Sequence, residues 1–297
     1  MTVYIIIITY NGIKWIEKCL KSCENYNVIV VDNASNDETV SHIKDNYPEV
    51  DILELKKNLG FGAANNKGIS HALKAGADYV LLLNQDAYLE SGTIKKLIEV
   101  HKSHTAFGVI SPIHLNGLAN KLDSGFSNYI TYDNNNFLYF DAIKGRLSDI
   151  YEVPFVNAAC WLLPKSTLRK IGGFDPVFFH YGEDVNYCQR LKYHGLKVGV
   201  VPNAFVLHDR ELVKKEAHKK NNSRPDLFYI LKWTDINIEN NVEERVSQLK
   251  HTRFLSVLKF NFFKVKYCNE QLKLINSKVH DINNSRKVNK TLGMHYI

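Results

Sequence analysis

Three runs of nearly uninterrupted apolar residues constrain this chain more than any other feature: Val3-Tyr4-Ile5-Ile6-Ile7-Ile8, Val28-Ile29-Val30-Val31 and Tyr79-Val80-Leu81-Leu82-Leu83. Runs this short, without polar alternation, read as strands buried on both faces, as in parallel sheets covered by helices. The segments between them carry helical spacing. Trp15, Ile16, Cys19, Leu20 and Cys23 follow the first run, and Ser35 or Asn36 with Glu38 or Thr39 behind it marks a second helix start. Asp51 to Leu55 is a further strand, and the glycine-rich turn 56–62 leads into a helix from about Ala63 to Ala75. Parallel neighbours need crossovers of this length, so the expected fold is α/β, a Rossmann-like, mostly parallel sheet with helices on both faces.

Further along, Phe107 to Ile110 reads as a short strand, 115–150 as loops and small strands, and 153–163 as renewed order. A short helix follows near 165–170, then the turn Gly172-Gly173-Phe174-Asp175-Pro176 and a helix over 183–194. Lys197 to Val201 and Ala204 to His208 read as two strands. After 210 the chain turns basic and helical. The expected division is a catalytic domain over 1–210 and a basic, mainly helical C-terminal extension over 211–297.

Charge supports that division. Residues 211–297 hold 17 Lys or Arg against 9 Asp or Glu, and the other 210 residues hold 21 against 22. The basic excess belongs to the C-terminal segment and points to an anionic partner surface, a membrane ahead of nucleic acid, for which no binding motif is present. The first apolar run is far too short to span a bilayer and lacks a basic signal-peptide flank. Five cysteines, with no CxxC pair, fit a reducing cytoplasm.

The candidate site residues lie where strands end, because ligands of open α/β sheets bind outside the carboxyl ends of strands. Asp86 stands just past Leu83-Asn84-Gln85, placed either to hold a phosphate-bridging cation or to cap a helix starting near Ser91-Gly92. Asp32 ends the second run, as nucleotide acceptor or turn residue, and Thr9 shares that edge. Asn58-Leu59-Gly60-Phe61-Gly62, with Asn65, Asn66 and Gly68, feeds a helix N-terminus where backbone N–H groups can meet phosphate. It is neither a dinucleotide fingerprint nor a P-loop. Glu183 and Asp184 open a helix, as dipole partners or as a general base. His208 is a metal ligand or a structural histidine.

Taken in order, Thr9-Tyr10-Asn11, Val31-Asp32-Asn33-Ala34-Ser35, Asn58 to Gly62 with Asn65 and Gly68, Leu83-Asn84-Gln85-Asp86, Gly172 to Asp175, Gly182-Glu183-Asp184 through Arg190, and His208 resemble glycosyltransferase family 2 with the GT-A fold. The likeness covers about residues 3–208 and is strongest to the rhamnosyltransferase and galactofuranosyltransferase branch. The resemblance implies an inverting transferase that moves a sugar from a nucleotide sugar, a dTDP- or UDP-sugar first, to a hydroxyl of a lipid-linked surface polysaccharide. It implies that Thr9, Asn11, Asp32, Asn58, Gly60 and Asn65 hold the nucleotide, with Asp86 and His208 binding Mg²⁺ or Mn²⁺. Asp184 would be the general base and Glu183 its positioning neighbour. Three positions depart from the pattern: Asn84 replaces the first metal-motif aspartate, Asn186 a later carboxylate, and Asp209-Arg210-Glu211 the usual small residues. The first two motivate a rival, a non-catalytic sugar-nucleotide or glycan-binding relative. A sugar-1-phosphate nucleotidylyltransferase is disfavoured, because Thr9-Tyr10-Asn11-Gly12 supplies no basic glycine-rich loop.

Within the tail, Phe254, Leu258, Phe262 and Val265 fall at helical spacing among Lys250, Arg253, Lys259, Lys264 and Lys266. This pattern reads as a basic amphipathic helix, lying on an anionic leaflet or packed on the catalytic domain. The expected location is cytoplasmic, peripheral to the inner face of the plasma membrane.

Overall fold

The computed structural model describes residues 1–210, 225–239 and 242–297. The expected domain boundary therefore abuts a segment, 211–224, outside the described residues. The apolar runs become β1 (Val3–Thr9), β2 (Asn27–Asp32) and β4 (Tyr79–Asn84), with β3 (Asp51–Glu54) beside β2. Crossovers pass through α1 (Ile13–Lys21), α2 (Thr39–Asn46) and α3 (Phe61–Lys74). Downstream lie β5 (Ala87–Leu89), α4 (Thr93–Ser103), β6 (Phe107–Asn116), α5 (Asn136–Ile143), β7 (Tyr151–Glu152), β8 (Cys160–Pro164), α6 (Lys165–Ile171), α7 (Glu183–Tyr193) and β9 (Lys197–His208).

Among the described residues the strands form one sheet in the order β3-β2-β1-β4-β8-β6-β9-β5, with β7 on β9. The β3-β2-β1-β4 half is parallel, as is the β6–β9 pair, and β8 runs antiparallel between them. Alternation along β1 explains why its six-residue apolar run has no polar face. Ile6 joins a core with Ala64 and Ile69 of α3 and Tyr187 and Leu191 of α7, while Ile5 and Ile7 join another with Ile16 and Leu20 of α1 and Leu97 of α4. Each fully buried isoleucine contributes about 2 kcal/mol of transfer free energy. α3 sits very close to β1 because Gly68 has no side chain: a Cβ there would lie 2.5 Å from Ile6 Cγ2.

Three local readings change. The strand at 107 extends to Asn116, because it is sandwiched between β8 and β9. The two expected strands over 197–208 are one, since β9 continues past a register shift opposite Pro112/Ile113. The 115–150 region holds α5, N-capped by Asn135.

The C-terminal helices are α8 (Pro225–Thr234), α9 (Val242–Leu258) and α10 (Phe262–Asn289). Instead of one basic helix, α9 and α10 form a hairpin closed around Trp233, Val242, Leu249, Cys268, Leu272 and Ile275. The far end of α10 is bound to the α/β unit. Asp175 accepts from Ser285 Oγ (2.6 Å), Asn289 Nδ2 (2.7 Å) and Tyr296 OH (3.3 Å), and Gly173 N donates to His295 O (2.8 Å). No described helix is long and apolar enough to cross a membrane.

Candidate active site

The parallel register places Thr9 opposite Asp32, and Ile8 opposite Asn84, along one sheet edge. Both Thr9 and Asp32 are buried, and Thr9 Oγ1 donates to Asp32 Oδ1 at 3.0 Å. The Asp32 carboxylate also accepts from Ser35 N (3.0 Å) and Ser35 Oγ (2.5 Å). Asn11, at φ 48°, donates its N–H to Ser35 Oγ and accepts from Asn36 N. Asn58 Oδ1 accepts from Gly60 N (2.8 Å) and Asn33 Nδ2 (3.0 Å), while Leu59 N donates to Asn33 Oδ1 (2.7 Å). These bonds knit the loops after β1, β2 and β3 into one platform.

Gly60 completes the platform for a steric reason. Its φ is +82°, and a Cβ there would lie 1.8 Å from Phe179 O, so only glycine lets this turn meet the loop ahead of α7. Asn65 is buried and donates to Phe61 O one turn back in α3, which is a helix-internal role. Asn66, with no separate role assigned from sequence, ties α3 to Phe174 through both backbone groups at 2.7 Å.

The remaining four predicted residues converge elsewhere. Asp86, Glu183, Asp184 and His208 line one cavity of about 600 Å³, together with Asn84, Asn157, Tyr129, His180, Tyr181 and Arg210. Thr9, Asn11, Asp32, Asn58, Gly60 and Asn65 do not line it. Phe61, the first residue of α3, belongs to the cavity wall, so the Asn58–Gly62 turn connects platform and cavity.

Asp86 does not cap α4. That helix has Gly92 at its N-cap and no side-chain cap, and β5 intervenes. β5 pairs antiparallel with β9, setting Ala87 opposite His208, and so brings Asp86 Oδ1 to 3.4 Å from His208 Nε2. Neither Glu183 nor Asp184 is a cap residue either, because Gly182 holds that position at φ 92°. Just before it, Tyr181 has φ 68°, a costly conformation for an aromatic residue at a cavity wall.

Burial shapes the acids. Burial first, and the Asp184 charge second, push the Glu183 carboxyl up to about 7. Glu183 Oε2 has no hydrogen-bond partner among the described residues. Burial also raises Asp184, against hydrogen bonds from the Val185 and Ala158 backbones and the charge of Arg210. One carboxyl that holds its proton near neutrality beside a stronger acid is the pairing from which acid–base roles are assigned.

Two further residues were assigned no site role from the sequence. Asp123 is buried, accepts from Gly125 N and Phe126 N at 2.9 Å, and directs Oδ2 toward Arg210 Nε (3.6 Å) and His208 Nδ1 (4.0 Å). Arg210 Nε lies 3.1 Å from His208 Nδ1 and brings a cation to the cavity. Behind them His114 stacks on Phe126, its imidazole held well below its ordinary range by burial and then by His208 and Arg210.

A divalent cation fits this donor set. Asp86 supplies a carboxylate, His208 an imidazole, and Asn84 a buried side-chain oxygen with no partner among the described residues. Hard cations take such oxygen and nitrogen donors and complete their shell with water and phosphate. For Nε2 to meet a cation, Nδ1 must carry the ring proton, so Arg210 Nε, which donates to Nδ1 at 3.1 Å, would have to yield that atom to Asp123 Oδ2, 4.0 Å away. Among the described residues no group of three His, Cys, Asp or Glu is placed to hold a metal ion.

The mixed sheet with its parallel half, the strand-end platform and the cavity with its acidic pair have the layout of a GT-A type of α/β fold. Residues 4–172 match the family described as Glycosyl transferase family 2, and the chain belongs to that family. It is 25% identical over 183 residues to the low-salt glycan biosynthesis hexosyltransferase Agl10 of Haloferax volcanii, covering 61% of this chain and 58% of that protein. It is 26% identical over 231 residues to the N-acetylglucosaminyl-diphospho-decaprenol L-rhamnosyltransferase of Mycobacterium tuberculosis, covering 69% of this chain and 75% of that one. The mannosyltransferase PcManGT of Pyrobaculum calidifontis, solved with GDP-Man and Mn²⁺, shares the fold at TM-score 0.54 and 16% identity over 96% of this chain and 73% of that one.

Proposed function

We propose that this chain is a metal-assisted, inverting glycosyltransferase that moves a sugar from a dTDP- or UDP-sugar to a hydroxyl of a lipid-linked polysaccharide intermediate. The observation that carries the proposal is the meeting of Asp184 and Glu183 with Asp86 and His208 around one cavity, beside a glycine turn that opens on the strand-end platform. The similarity to a rhamnosyltransferase named for a diphospho-decaprenol acceptor supports the lipid-linked class.

In this reading Thr9, Asn11, Asp32, Asn58 and Gly60 shape the nucleotide side. Asn65 supports it from within α3. Asp184 accepts the proton of the attacking hydroxyl, and its backbone hydrogen bonds fix the carboxylate in place. Glu183 keeps its own proton near neutral pH and donates it in a hydrogen bond to sugar or acceptor. Asp86 and His208 would hold Mg²⁺ or Mn²⁺, whose positive charge would stabilise the leaving diphosphate. Arg210 adds a second cation on the same side, which offsets the amide at Asn84. Attack opposite the leaving group inverts the anomeric centre, and alignment of both substrates supplies much of the rate.

We assign 1–210 as the catalytic domain and 211–297 as an extension whose end docks back on it. Its place of action is the cytoplasmic face of the membrane, where such acceptors present their sugars. The test is transfer from UDP-, dTDP- and GDP-sugars with Mn²⁺ to a prenyl-diphosphate glycan. Asp184→Asn should lower turnover by about 10²–10⁴-fold while donor-induced thermal stabilisation persists. Donor binding with no transfer to any acceptor would instead favour the non-catalytic relative.

A further inference from the structure

The turn between α9 and α10 is a surface the transfer chemistry does not use. The cluster that closes this hairpin stops at Leu249 and Cys268. Beyond it Phe260, Phe262 and Phe263 stand 79%, 72% and 86% exposed, with Phe254, Val257 and Leu258 also exposed beside them. Exposed apolar side chains gathered this densely at one end of an element mark an interaction surface.

The turn is built, not frayed. Asn261 caps α10 by accepting from Lys264 N at 3.1 Å, and Asn261 N donates to Ser256 O at 2.9 Å. The residue at the corner, Phe260, has φ 51°, a position where glycine or asparagine would fold at less cost. A phenylalanine kept in a strained, solvent-facing corner is an outlier that calls for a function.

Charge identifies the partner. From Arg245 through Asn269 the chain contains no carboxylate and six Lys or Arg: Arg245, Lys250, Arg253, Lys259, Lys264 and Lys266. An apolar tip ringed by Arg253, Lys259, Lys264 and Lys266, with Glu270 only at the base of that ring, matches the boundary between acyl chains and anionic headgroups. We infer that the α9–α10 turn is a membrane-insertion tip that seats Phe260, Phe262 and Phe263 in an anionic lipid leaflet. This refines the proposed function, on which it rests for the location of the acceptor. It also replaces the expected flat-lying helix with an end-on contact, since the chain reverses at Phe260-Asn261.

The full-length protein is to be tested by co-sedimentation with phosphatidylcholine vesicles, with and without phosphatidylglycerol. Binding is expected only with phosphatidylglycerol, and the triple variant Phe260→Ser, Phe262→Ser, Phe263→Ser should lose about tenfold or more of it. A separate Phe262→Trp variant should gain fluorescence that brominated lipid quenches. Unchanged binding by the triple variant, no quenching, or equal binding to neutral vesicles would overturn the inference. So would a dimer-to-monomer change by sedimentation velocity without vesicle binding, which would reassign the tip to a second copy of the chain. Donor-induced thermal shift in the same samples separates the two readings. Vesicle binding without donor binding defeats only the transferase; donor binding without vesicle binding defeats only the tip.

Discussion

Glu183 offers the most quantitative test of the site, because its electrostatics can be read without knowing the substrate. Its carboxyl rises from an ordinary value of 4.5 to about 7, and the group is only 5% exposed, so solvent screening does little to reduce the effect. The folded protein therefore holds this proton more tightly than the unfolded chain does. Between about pH 4.5 and 7 the folded state binds more protons, so stability falls as pH rises, and above about 7 the loss is complete. At about 1.4 kcal/mol for each tenfold change in proton affinity, that loss is about 3 kcal/mol. Glu183→Gln keeps the shape and removes the titration. Urea unfolding of both proteins at about pH 5 and pH 8 isolates the effect, since other groups cancel in the comparison. The variant should gain on the parent by about 2.5 kcal/mol from the lower to the higher pH, since part of the loss has already occurred at pH 5. A difference between the two proteins that does not change with pH would refute the claim that Glu183 is buried against a second carboxylate.

Three further outcomes follow from particular contacts. Asp86→Ala should abolish the Mn²⁺-dependent part of the thermal shift given by UDP or dTDP while leaving the apoprotein's melting temperature nearly unchanged; retention of the Mn²⁺ effect would remove Asp86 from the metal. Gly60→Ala adds positive-φ strain to an overlap with the Phe179 carbonyl and should cost at least about 2 kcal/mol by denaturant unfolding. A neutral result would mean that the turn does not abut the loop before α7. Asp175→Ala removes the acceptor for Ser285, Asn289 and Tyr296, so backbone amides of 285–297 should exchange faster in hydrogen-exchange mass spectrometry while those of β1 and β4 do not.

What the sequence could disclose follows from how each signal is encoded. The parallel half of the sheet was legible because burial on both faces leaves β1, β2 and β4 without polar positions, and strand ends then locate Thr9, Asp32 and Asp86. Asp123 and Arg210 were not legible for opposite reasons. Asp123 lies in the loop-rich stretch after β6, where Asp-Ser-Gly reads as an ordinary turn and no periodicity shows which way it faces. Arg210 stood out only as a departure from a family pattern; it sits two residues from His208, but the β5–β9 pairing that brings this pair to Asp86 joins residues more than a hundred positions apart.

The hairpin shows the same limit from the other side. Phe254, Leu258, Phe262 and Val265 keep helical spacing straight across a chain reversal, because the break at Phe260-Asn261 carries neither glycine nor proline. A stop signal written with phenylalanine is invisible to propensity, and the strain it accepts makes sense only if exposure of that ring serves a purpose. The platform residues teach the converse. Asn58, Asn11 and Asn65 read as ligand contacts from their motifs, yet their side chains are already engaged with Gly60, Asn36 and Phe61. Thr9 and Asp32 are engaged as well, with each other and with Ser35, and both are buried. Because Asp32 also holds Ser35, replacing it would test loop order and nucleotide contact at once, whereas Thr9→Val removes only the hydroxyl that bridges β1 to Asp32.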